Sequence, residues 1–329
     1  MGILASIVFF IKQSIIQGIP LLYGSTGEII TEKSGNLNLG IPGIMYMGGI
    51  SGVIGGYFYE RSTDNPNAFL AIFITFMSAI VGSALLALIY SFLTITLHAN
   101  QNVTGLTLTT FGVGIGNFFG GSLTKLFGEG GSISLMFTGN AFKATLPFAS
   151  KLGLFGELFL SYGFLAYLAV IIAIISSIIL TKTRVGLNLR AVGENPATAD
   201  AAGINVTLYK YVATCIGGAI AGLGGLYFIM DYTGGSWTNG GFGDRGWLAI
   251  ALVIFALWKP KHSIWGSFLF GGLYIVYLYI PGLGRSSQEI FKMLPYVVTL
   301  VVLVLTSMRK KREYQPPESL GTTYFREER

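Results

Sequence analysis

Residues 65–124 contain no Asp, Glu, Lys or Arg. A run of that length overfills one soluble core, whereas a helix crossing the ~30 Å hydrocarbon of a bilayer needs only ~20 mostly apolar residues. The run has room for two or three crossings, with Ala99-Asn100-Gln101-Asn102 as its natural break. Further charge-free stretches occupy 34–59, 158–181, 211–230, 262–284 and 293–308. Another, 246–258, is short for a span and reads as a tilted, partner-buried or re-entrant helix. Ahead of them, 3–23 is interrupted only by Lys12, whose long stem can carry its charge to an interface. Charged residues make up 11% of the chain, where soluble domains hold ~25%, too few to cover a water-facing surface.

The pattern predicts an all-α protein: a polytopic transmembrane helical bundle of about nine spans, within a range of eight to ten, some of them broken or re-entrant. Residues 1–308 form the membrane domain and include a polar loop at about 183–209. Residues 309–329 form a polar tail, which Pro316-Pro317 and the composition mark as disordered. Lys and Arg collect on the side of the 182–210 loop, most densely in 309–312, which places that side and the C-terminus in the cytoplasm.

Several functions are excluded on composition. The net charge of +6 is spread over short breaks between apolar runs and builds no nucleic-acid face. The one cysteine, Cys215, rules out an internal disulfide, and His98 and His262 lack companions for a metal site, so no cofactor is expected. There is no phosphate-binding G-x-x-x-x-G-K-[ST] motif, so ATP would have to be hydrolysed elsewhere and the chain is no enzyme. No acid lies well inside the long apolar stretches as they are cut here, which argues against a proton relay. Sodium coupling through backbone carbonyls stays open.

Glycines recur every four residues at 48, 52 and 56, at 112, 116 and 120, and at 218 and 222. Such ridges let helices approach closely in lipid, and they also suit hinges or backbone exposed to a pathway. Between Gly35 and Gly43, GNLNLGIPG cannot continue a regular lipid-facing helix. It is either a turn or part of a substrate route. In TRVGLNLRAVGENPATADAAGINVTLY, from Thr183, a short helix over 186–192 should end at Gly193. A second should be capped by Asn195, begin at Pro196 and stop at a left-handed Gly203. An ordered loop of this size reads as a docking surface or as an interfacial lid.

Three segments resemble the membrane permeases of bacterial ABC importers for nucleosides and simple sugars, the group of the ribose and branched-chain amino acid permeases. They are GEIITEKSGNLNLGIPGIMYMGG from Gly27, the loop ending in GINV from Gly203, and GDRGWLAIALVIFALWKPKHSIWGSFLFGG from Gly243. The chain departs from the family pattern at Ala256-Leu257, where a phenylalanine-glycine pair is more usual, and at Lys261-His262, where small residues are. The resemblance implies a multi-pass subunit of the bacterial cell membrane that carries nucleosides, or else simple sugars or branched-chain amino acids. It implies as partners a second permease chain, a cytoplasmic ABC ATPase and an extracytoplasmic binding protein or lipoprotein, with this chain resembling the smaller nucleoside permease. The loop would then dock on the ATPase through Arg190, Glu194, Asn195, Pro196, Ala197, Ala201 and Gly203. A neutral nucleoside would pass Asn36, Asn38, Gly40, Asn102, Thr104 and Asn117, whose amides and hydroxyls exchange hydrogen bonds without trapping it. The reading of another class is a sodium-coupled secondary carrier acting alone.

Overall fold

A computed structural model describes residues 3–126, 133–145, 153–309 and 314–326. Lys310, Lys311 and Arg312, used above for orientation, lie outside them. The described residues are helical apart from connections and one isolated bridge between Ser134 and Ser236. The order is α1 (Ile3–Glu32), α2 (Ile41–Ser62), α3 (Ala68–Ser91), α4 (Gln101–Leu126), α5 (Met136–Phe142), α6 (Gly153–Phe159) and α7 (Phe164–Lys182). It continues with α8 (Arg184–Glu194), α9 (Pro196–Ala201), α10 (Val206–Tyr227), α11 (Arg245–Phe255), α12 (Pro260–Ile275), α13 (Arg285–Lys292) and α14 (Leu294–Arg309). Wider π turns extend α3 over Phe92–Thr96 and α10 over Phe228–Tyr232.

Five of the described segments are long and apolar enough to cross a membrane: Ser6–Glu32, Ala68–Thr96, Phe164–Lys182, Val206–Tyr232 and Arg285–Met308. Helices α2 and α4, of 22 and 26 residues, have the length for a crossing but are diluted by glycine and threonine. The 65–124 run divides into two helices around Ala99 and Asn100, with His98 in a left-handed conformation at φ 55°.

α1, α2 and α10 form the centre, with α3 and α4 against α2, and α7, α11 and α12 against α1. The glycine ridges face the chain's own helices. A Cβ on Gly48 of α2 would overlap the backbone of Gly222 in α10, and one on Gly112 of α4 would overlap Gly43 of α2. Apolar side chains at the rim, such as Ile175 of α7 and Leu300 and Val304 of α14, point outward, as a hydrocarbon solvent allows.

One expectation fails here. Cutting the spans at charges ended the first near Tyr23 and left no acid within any span. Instead α1 runs unbroken through Glu28 and Glu32, which are 0% and 3% exposed. Asp231 likewise lies in the π turn that prolongs α10. The acids are sheltered by neighbouring helices, so buried carboxyl groups do lie within the spans, contrary to the expected absence of a proton relay's acids. Nor does Gly193 stop a helix: α8 continues to Glu194, and the absent side chain lets Gly193 lie against Lys33.

Candidate coupling face and translocation path

The 183–209 loop is built from local capping. Thr183 Oγ1 accepts the Gly186 N–H at 3.1 Å to start α8. Asn195 Oδ1 accepts the Thr198 N–H at 2.9 Å to start α9, with Pro196 in its first turn. Gly203, at φ +83°, ends α9, and Asn205 Oδ1 caps α10 through the Leu208 N–H at 3.0 Å. Val192, Ala199 and Val206 are buried together, so the two short helices sit on a small core of their own. Glu194, Asn195, Ala201 and Gly203 are exposed, and Arg190, Pro196 and Ala197 are half-buried beside them. The residues predicted for docking thus all reach the surface of the hairpin, small ones in α9 and charged ones in α8.

Residues 314–326 of the C-terminal tail strap this hairpin to the bundle, contrary to the disorder expected for them. Ser319 donates to the Gly193 carbonyl through both its N–H, at 3.1 Å, and its Oγ, at 2.6 Å. The Gly321 N–H donates to the Gly35 carbonyl at 3.2 Å, and Gln101 Nε2 to the Thr322 carbonyl at 3.2 Å. Tyr324 donates its hydroxyl proton to Asp200 Oδ2 at 2.9 Å, where Arg326 also approaches at 3.2 Å. Composition missed the strap because most of its partners are backbone carbonyls. Burial beneath this region pushes the Lys33 ammonium below the usual lysine range, opposed by the nearby Glu194 carboxylate.

The break after α1 folds back along the last turn of that helix, and every neighbour contributes to holding it. The Asn38 N–H donates to Glu28 at 3.1 Å, and the Leu37 N–H to Gln101 Oε1 at 2.7 Å. Asn36 Nδ2 donates to Thr214 Oγ1 at 3.0 Å, and Asn38 Oδ1 accepts the Gly40 N–H at 2.9 Å. Tyr90 and Thr109 donate to the carbonyls of Leu37 and Leu39 at 2.6 and 2.9 Å. Trp258, from the α11–α12 turn, donates its indole N–H to Glu32. Asn36, Asn38 and Gly40 thus meet at one junction, on which Gly105 of α4, next to the buried Thr104, packs closely, and among the described residues Glu28 Oε2 and Asn38 Nδ2 have no hydrogen-bond partner.

Asn102 and Asn117 stand apart along α4, about 22 Å from each other at ~1.5 Å per residue. Asn102 is exposed, while Asn117 accepts from the Tyr46 hydroxyl at 2.5 Å, which itself accepts the Gly240 N–H at 3.0 Å. On or beside the side of α4 turned away from α2 lie exposed Thr107, Thr110, Gly114 and Gly121, and a Cβ at either glycine would meet nothing within 4 Å. Tyr46 also lines a cavity of about 200 Å³ with Phe228, Tyr232, Trp237, Thr238 and Phe242. Beside that cavity begins α11, whose 11 residues cover about 16 Å, half a bilayer. Its first residue, Arg245, is buried, donates to the Phe242 carbonyl and to Gln17, each at 2.9 Å, and lies 4.5 Å from the Phe228 ring centroid. Tyr46, Arg245 and the two glutamates went unread in the sequence, although the i, i+4 spacing of Glu28 and Glu32 marks a shared helix face.

Over residues 10–303 the chain matches the family model described as branched-chain amino acid transport system, permease component. It belongs to that family. The nucleoside ABC transporter permease protein NupC of Lactococcus lactis subsp. cremoris is 29% identical over 93% of this chain and 94% of its own length. A putative glucose ABC transporter permease protein of Haloferax volcanii is 30% identical over 93% and 94%. The guanosine ABC transporter permease protein NupQ of Bacillus subtilis is 26% identical over 100% of both chains. The chain is therefore a membrane permease component of an ABC transporter, an all-α transport subunit rather than an enzyme.

Proposed function

We propose that the chain forms one wall of a nucleoside path in an ATP-driven importer, with the α8–α9 hairpin seated on a cytoplasmic ATPase. The observation that carries the reading is the strap. Gly193 and Asp200 of the hairpin, Gly35 of the break and Gln101 of α4 are all tied to one stretch of tail. Displacement of the hairpin by nucleotide-driven motion of the ATPase would pull on the break and on α4 together. The exposed small and polar side of α4, with Asn102 and Asn117 beside it, then faces a second permease chain across the path. Asn36, Asn38, Gly40 and Thr104 act at the junction that moves. An extracytoplasmic binding protein or lipoprotein delivers substrate to the opposite face, lipid surrounds the α7 and α14 rim, and the C-terminus lies in the cytoplasm. Nucleosides are favoured because two of the relatives described above are named for nucleoside or guanosine transport.

The glucose-named relative supports a second reading, a simple-sugar permease of the same architecture. Uptake of a labelled panel of nucleosides, ribose and glucose, in cells with and without the chain, separates the two. Loss confined to nucleosides supports the first reading, and loss confined to sugars replaces it. Asn38→Leu should lower the maximal rate with the complex still assembled, and an unchanged rate would confine Asn38 to a structural role.

A further inference from the structure

Between the tail, the end of the hairpin and the start of α10 lies a second cavity of about 740 Å³, larger than the one near Tyr46. Small-molecule sites occupy ~300–1,000 Å³. Its wall contains Lys210, which is 4% exposed and whose ammonium has no hydrogen-bond or ion-pair partner among the described residues. An ammonium on a largely buried side chain that meets no partner invites an anion. Asp200, the acid among the residues lining the wall, is already engaged by Tyr324 and Arg326. Val206 and Thr207 line the same space, and they open α10, where backbone N–H groups lack intrahelical acceptors and favour an anion. His98 and Phe325, also on the wall, hold their rings 4.5 Å apart and add an aromatic surface to the cavity.

We infer that this cavity binds a small phosphorylated metabolite carrying a planar ring, of the nucleoside monophosphate class. Its phosphate lies on Lys210 and the first turn of α10, and its ring lies on His98 and Phe325. A phosphate of about −1.5 to −2 charge supplies the anion that Lys210 lacks. Because Phe325 and Arg326 belong to the strap, an occupant also bridges the tail to α10. Entry from the cytoplasm rests on the orientation proposed above, while the site itself does not.

Equilibrium dialysis of the purified full chain with labelled uridine 5′-monophosphate tests the site. Saturable binding is expected, displaced by inorganic phosphate and far less well by uridine. Lys210→Met, close in volume, should weaken binding tenfold or more, and Lys210→Arg should restore it, as expected for one charge-assisted contact. Phe325→Ala should weaken the nucleotide but not inorganic phosphate. Absence of binding, equal binding by a folded Lys210→Met chain, or displacement by uridine as effective as by the monophosphate would overturn the inference. Failure of nucleoside uptake in the assembled complex would instead sink the import reading and leave the dialysis result standing.

Discussion

The α8–α9 hairpin and the buried break after α1 lie side by side, yet they are held in opposite ways. The hairpin is a product of neighbours in sequence: Thr183, Asn195 and Asn205 each cap the helix that begins immediately after them. The break is a product of neighbours in space, with Glu28, Gln101, Thr214, Tyr90 and Thr109 reaching it from four different helices. A locally folded element can shift as a unit, and the tail strap passes that shift on to the break and to α4. A junction held from four sides moves only if those helices move with it, which is what coupling between an ATPase and a path requires.

Substitutions can break this contrast. Glu28→Ala removes the acceptor of the Asn38 N–H and opens a cavity in a fully buried site, so it should cost about 2–4 kcal/mol. Thermal unfolding of the purified chain in detergent measures it, and a change below 1 kcal/mol, on the order of one ordinary hydrogen bond, would show the junction to be loosely held. Ala201→Glu, on the exposed end of α9, should leave unfolding unchanged and cut ATP-dependent transport about tenfold, because a bulky acid is desolvated at the docking surface. Stimulated ATPase activity and transport both at the unsubstituted level would remove α9 from the interface. Asn195→Ala deletes one local cap and should cost about 1 kcal/mol, with faster hydrogen exchange confined to α9. Spread of that exchange into α1 or α4 would contradict the local character of the hairpin.

The same contrast explains what was legible beforehand. Helix content, the division of 65–124 near Ala99, and the caps at Asn195 and Gly203 follow from hydropathy and residue chemistry within a few positions. Glu28 and Glu32 were misread because a charge ends an apolar run on paper, whereas in the fold Asn38 and Trp258 receive them. The strap was missed because Ser319 and Gly321 bond to carbonyls, which every residue has. Of the path candidates, Asn36, Asn38 and Gly40 converge, with Thr104 next to the Gly105 that packs on them, while Asn102 and Asn117 are spread along α4, a distinction that spacing in sequence does not carry.

The smallest effect is expected at the α11–α12 turn. Leu257, at the position where the family pattern has glycine, adopts a left-handed φ of 54°. Leu257→Gly relieves strain of about 1–2 kcal/mol and loses a half-buried side chain of similar worth. The net change in stability should stay within about 1 kcal/mol, and a larger loss on thermal unfolding would show that the leucine contacts dominate.

The most direct measurement is uptake of labelled uridine into proteoliposomes. The chain alone, under an inward sodium or proton gradient, should show no concentrative uptake, and addition of its partner permease, the ATPase, the binding protein and ATP should restore it. Concentrative uptake by the chain alone under either gradient would contradict the importer reading and make it a secondary carrier, with Glu28 and Glu32 as the first residues to test for the coupling ion.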